Sequence, residues 1–88
     1  MVQAHYKASV IFEASIDTNG YNYLVIYGKH INGYFCCIPN WNLGCEMAEP
    51  GDVAYNTERL IGAGITDSAA KALAKEILTT IQRREAVA

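Results

Sequence analysis

Apolar and polar residues alternate along the start of the chain. Tyr6, Ala8, Val10, Phe12, Ala14 and Ile16 are apolar, and His5, Lys7, Ser9, Glu13 and Ser15 between them are polar. Ile11 alone breaks the pattern. Period two over this length predicts a strand with one buried face. Tyr21 to Lys29 and Tyr34 to Ile38 are rich in aromatic and β-branched residues and predict two more strands. The connections Thr18-Asn19-Gly20 and Ile31-Asn32-Gly33 both end in Asn-Gly, which favours tight hairpins because glycine accepts positive φ without steric cost. The expectation is a three-stranded antiparallel meander.

Hairpin register decides which side chains share a face, since a slip of one residue exchanges the two faces. A three-residue loop with glycine in the left-handed position fits both connections and is the preferred reading. It sets Phe12 opposite Ile26, Ile26 opposite Ile38, and Ala14 opposite Leu24. The core face is then Val10, Phe12, Ala14, Leu24, Ile26, Cys36 and Ile38. The opposite face carries Ile11, Glu13, Tyr21, Tyr23, Val25, Tyr27, Phe35 and Cys37. A two-residue turn is the alternative, and it moves the tyrosines onto the Phe12 face.

Pro39 ends the third strand, and Asn40 to Gly51 reads as a loop. Pro50-Gly51-Asp52 reads as a helix entrance with Asp52 as N-cap, followed by a short helix from Val53 to Ile61. Gly62 and Gly64 close that helix, with Ile65 placed to supply the hydrophobic contact of a glycine C-cap. Thr66 caps a second, longer helix that has Asp67 in its first turn. Ala70, Leu73, Ala74, Ile77 and Ile81 form an apolar stripe at helical spacing, and Lys71, Lys75, Gln82 and Arg83 face water. The predicted fold is a single α+β domain over residues 1–88, ordered β-β-β-α-α, with both helices on one face of the sheet. The other face is left for solvent or for a partner.

Composition adds to this picture. Hydrophobic residues make up 51% of the 88 and charged residues 18%, which excludes disorder and leaves apolar surface for a partner to cover. The net charge of −2 argues against a domain that tracks phosphates, which would carry a basic face. Acidic residues outnumber basic ones up to Ile65, and the last segment is weakly basic. No stretch reaches the length of a membrane span, and the first residues lack the pattern of a signal peptide. Three cysteines, an odd number, suit reduced thiols in a cytoplasmic protein better than a disulfide framework.

The candidate chemistry is that of binding. Tyr21, Tyr23 and Tyr27 alternate on the middle strand beside Phe35, and tyrosine offers large contact area with a polar tip. With Trp41 and the acidic rim of Glu46, Glu49 and Asp52, they make the expected contact surface for a protein partner, and the tyrosine face also offers a homodimer surface. Ordinary strand propensity, with the Trp41 loop folded over the rings, is the competing explanation. A stacking surface for single-stranded nucleic acid, helped by Lys7, Lys29 and Lys71, is the alternative function. Cys36 and Cys37 are strand neighbours that point to opposite faces, so they do not converge on a metal. Cys45, His5 and His30 add no ligand spacing, and nothing marks an activated thiolate. The turn at Gly62–Ile65 suggests a helix-turn-helix, but Asp67 would meet phosphate with the wrong sign and an ordinary helical hairpin is favoured. No catalytic residue, metal site or cofactor is assigned, and no phosphate loop or dinucleotide fingerprint is present.

The runs Tyr34-Phe35-Cys36-Cys37-Ile38-Pro39-Asn40-Trp41, Gly44-Cys45-Glu46-Met47 and Tyr55-Asn56-Thr57-Glu58-Arg59-Leu60 resemble a family of small uncharacterised proteins associated with clostridial and other Firmicute mobile elements. The resemblance spans most of the chain and brings no catalytic motif. It implies an accessory protein of a mobile element. Small acidic products of such elements are often inhibitors of host defence, anti-CRISPR proteins among them, so the implied role is a non-enzymatic inhibitor.

Overall fold

A computed structural model describes residues 8–87, and His5, Tyr6 and Lys7 lie outside them. Four strands, not three, form one antiparallel sheet in the order β1-β2-β3-β4. They are β1 (Ser9–Thr18), β2 (Tyr21–His30), β3 (Gly33–Ile38) and β4 (Leu43–Met47). Two helices follow, α1 (Val53–Gly62) and α2 (Asp67–Val87). The fold is α+β, with both helices over one face of the sheet.

The strand missing from the sequence reading is β4. A 3₁₀ turn at Pro39–Trp41 is followed by Asn42 in the left-handed region, at φ 54°, which reverses the chain. Leu43 then pairs with Ile38, Cys45 with Cys36, and Met47 with Tyr34. The segment is only five residues long and contains Gly44 and Glu46, so its strand propensity is weak. Pairing with β3 and burial of Met47 hold it in the sheet.

The hairpin register is that of two-residue turns. Asn19 and Gly20 have φ of 54° and 80°, and Thr18 pairs directly with Tyr21. A turn with positive φ at both central residues matches the right-handed twist of the strands, and Asn-Gly is the dipeptide that best accepts it. Phe12 therefore lies opposite Tyr27, Ala14 opposite Val25, and Ile16 opposite Tyr23. The preferred three-residue register is overturned. Tyr23, Val25 and Tyr27 belong to the core, and Leu24 and Ile26 turn outward.

Ile11 breaks the alternation because it is the extra residue of a β-bulge, where the register shifts between Val10 and Phe12. The bulge sends Val10 to the outer face, where it is 60% exposed although the alternation placed it in the core. Gly28 opposite Val10 is a required glycine. A Cβ there would lie 2.6 Å from the Ser9 carbonyl oxygen and would run into the Phe35 ring.

The helical half follows the sequence closely. Asp52 caps α1 by accepting from the Tyr55 amide at 3.2 Å. At its other end, Ile65 N–H bonds the Leu60 carbonyl and Gly64 N–H bonds the Ile61 carbonyl, with Gly64 at φ 115°. This is a Schellman closure, and Ile65 and Leu60 are both buried. On α2, Ala70, Leu73, Ala74 and Ile77 are fully buried against Phe12, Ile16, Val25, Tyr27, Cys36 and Ile38. Among the described residues no helix is long and apolar enough to cross a membrane.

Candidate functional site

Two aromatic clusters occupy opposite ends of the helix-covered face: one closes over its central ring, with only its Tyr34 bordering a cleft of about 350 Å³, and the other is open. At the closed end, Phe12, Tyr27 and Tyr34 stack with ring centroids 5.7 and 5.8 Å apart. Tyr27 has no solvent exposure, and its hydroxyl donates to the Ala48 carbonyl at 3.0 Å. Burial above all, with the neighbouring Tyr34 adding to it, holds this phenol well above its ordinary range. Ala48 is clamped from the other side by the fully buried Asn56. Its Oδ1 accepts the Ala48 amide at 2.7 Å, and its Nδ2 donates to the Glu49 carbonyl at 3.1 Å.

At the open end, Trp41 is 41% and Tyr21 57% exposed. Trp41 stacks on buried Tyr23, with centroids 5.2 Å apart and planes at 23°, and meets Tyr21 edge-on at 5.4 Å and 79°. Its indole N–H donates to the Asn22 carbonyl at 3.0 Å. The neighbouring Asn40 acts as a short strand. Its Nδ2 donates to the same Asn22 carbonyl at 2.9 Å, and its Oδ1 accepts the Leu24 amide at 3.1 Å. These bonds continue the β2 ladder where β3 has ended. They fix the 3₁₀ turn, and with it the ring.

Trp41, Tyr21 and Leu43 face Ile65 and Thr66 across a cleft of about 430 Å³. Asn19 closes one side, and its Nδ2 donates to Ser68 Oγ at 2.7 Å, tying the first hairpin to the start of α2. Because the indole N–H is already satisfied by Asn22, Trp41 offers this cleft an apolar ring rather than a donor. The cleft suits an apolar or planar group bound by contact, with the Tyr21 and Thr66 hydroxyls able to orient it.

The expected contact residues are thus divided. Tyr21, Tyr23 and Trp41 come together. Tyr27 is core, and among the described residues no tyrosine face exists on the open side of the sheet. Phe35 lies on that open side, over Gly28. Glu46 is on β4 opposite Phe35, while Glu49 and Asp52 lie in the β4–α1 connection, and none of the three lines the Trp41 cleft. Asn40 and Asn56 went unnoticed in the sequence because an asparagine in a loop or helix carries no pattern that reveals its partners.

Cys36 and Cys45 are directly paired across β3 and β4. Burial pushes the Cys36 thiol up to about 12, and burial also raises Cys45 against the lowering effect of the Arg59 guanidinium. A buried thiol held protonated at neutral pH serves packing. Among the described residues, no group of three His, Cys, Asp or Glu side chains is placed to hold a metal ion.

The chain belongs to a family of unknown function, DUF6618, which it matches over residues 1–84. No curated protein and no solved structure matches it. The expectation of an uncharacterised family is met at that level.

Proposed function

We propose that the protein is a non-enzymatic binding module that takes an apolar side chain of a protein partner into the Trp41 cleft. The observation that carries this reading is a large ring that is both fixed and exposed. Trp41 is held by its Asn22 hydrogen bond, by stacking on Tyr23 and by the Asn40 ladder, yet two-fifths of it faces solvent. A pre-ordered aromatic loses little conformational freedom on binding, which is why tryptophan and tyrosine dominate interface energetics. The resemblance to mobile-element proteins extends the proposal to inhibition of a nucleic-acid-handling defence complex in the cytoplasm. Direct nucleic-acid binding is the weaker reading. Its stacking platform would need Tyr23 and Tyr27, which are 5% and 0% exposed.

The test compares proteins retained from native-host extract by the wild type, by Trp41→Ala and by Tyr21→Ala. A partner lost with both variants while their melting curves stay cooperative supports the cleft. Equal retention by all three overturns it. Salt-sensitive retention on heparin or single-stranded DNA would favour the nucleic-acid reading.

A further inference from the structure

The open face of the sheet carries carboxylates and, among the described residues, no Lys or Arg. Strand alternation and the register place Glu13, Asp17 and Glu46 on it. Asp17 is tied to Asn22 by a 2.9 Å bond from Nδ2. Lys29 points to the helix side, with Nζ 5.7 Å from the Tyr34 ring centre. Arg59 belongs to α1 and its Nε donates to the Glu46 main-chain carbonyl at 3.1 Å along the β4 edge, and Lys71, Lys75, Arg83 and Arg84 belong to α2.

Between the carboxylates runs an apolar strip. Leu24 and Ile26 of β2 and Phe35 and Cys37 of β3 are half-buried, and Val10 stands exposed at one end. Ile26 pairs with both Glu13 and Cys37, and Phe35 pairs with Glu46, so the two glutamates flank the strip on the outer strands. From β1 to β4 is three strand spacings, roughly 14 Å. An α-helix with its side chains is about 10–12 Å across. A helix laid along β2 and β3 fits between the flanking carboxylates.

We propose that this face docks an amphipathic helix of a partner protein, apolar along its centre and carrying Lys or Arg on both flanks. Charge complementarity selects that occupant. Among the described residues a second copy of this chain brings three more carboxylates and no Lys or Arg to the same contact, so face-to-face self-association is opposed by like charge. This surface is separate from the Trp41 cleft, and the two proposals stand independently.

The probe is a synthetic 18-residue Leu/Lys peptide with leucines at helical spacing, compared with a Leu/Glu peptide of the same pattern. Binding is followed by amide chemical shifts of the intact protein. The Leu/Lys peptide should bind, should shift Val10, Glu13, Ile26, Phe35 and Glu46, and should outcompete the Leu/Glu peptide. Glu13→Lys with Glu46→Lys should weaken it by about tenfold or more, and should create affinity for the Leu/Glu peptide. Glu58→Lys with Glu85→Lys makes the same net charge change on the exposed helical surface and should leave binding within about twofold. Equal loss in both double variants would reduce the effect to net charge and overturn the proposal. So would shifts confined to the helices or the Trp41 cleft, or wild-type sedimentation as a dimer that Ile26→Lys dissociates.

Discussion

Tyr27 and Tyr21 stand on the same strand and the same face, six positions apart, yet one is sealed and the other open. Tyr27 lies in the core, between Phe12 and Tyr34, with its hydroxyl bonded to Ala48. Tyr21 lies past the end of the helical cover, and its neighbour is a tryptophan that is itself exposed. The residue type and the pleat are identical. The difference lies in what the remote chain brings over each ring: the β4–α1 connection with its Asn56 clamp at one end, and the glycine-closed turn between the helices at the other. A tyrosine row is therefore core at one end and exposed at the other.

Truncation at the closed end should have the largest effect. Tyr27→Ala should cost about 3–5 kcal/mol by urea unfolding, a large fraction of the stability of so small a domain. A loss under about 1 kcal/mol would mean that the closed end is not closed. Asn56→Ala should follow, at about 2–3 kcal/mol, because it strips the partner of the Ala48 amide and leaves a cavity at a fully buried position, while the Glu49 carbonyl keeps only the Asp52 amide. Asn56→Asp should not restore stability, since a carboxylate cannot donate to Glu49.

Alkaline pH probes the same buried region. The Cys36 thiol ionises at the ordinary 9.0 in the unfolded chain and at about 12 in the folded one. Between these values the folded state holds a proton that the unfolded state has lost, so stability is full below about pH 9 and falls as pH rises, by about 1.4 kcal/mol per pH unit. Tyr27 acts with the same sign above its ordinary 10.0. Urea midpoints under reducing conditions at pH 7, 9 and 10 should fall in that order, and Cys36→Ala should flatten the decline. An unchanged slope in that variant would assign the effect elsewhere.

At the open end the effects on folding should be small. Trp41→Ala should cost about 1–2 kcal/mol for the lost stack and indole bond. Tyr21→Ala should stay within about 0.5 kcal/mol. Asn40→Ala sharpens the comparison further, since it leaves both rings in place and removes only the ladder that fixes them. Trp41 is the single tryptophan, so its fluorescence anisotropy reports the ring directly and should fall in Asn40→Ala. Unchanged anisotropy would show that the Tyr23 stack alone fixes the ring.

Local chemistry alone determined the helical half of the protein. Asp52 as N-cap, the closure through Gly64 and Ile65, and the α2 stripe from Ala70 to Ile77 each rest on residues within a few positions of one another. Three strands and both turn sites were legible for the same reason. Whether the turns held two residues or three was not, because Asn-Gly serves both and the difference of one residue exchanges every face. Core volume decided it: the helices cover the face where Phe12, Tyr23, Val25 and Tyr27 fill the space together. The strand β4 and the outward turn of Val10 likewise arise from pairing and from a bulge, which exist only between strands. The Trp41 cleft lay furthest from the sequence. Its residues come from the first hairpin, the 3₁₀ turn, β4 and the link between the helices, and Trp41 owes its fixed position to the main chain of a strand nineteen residues earlier.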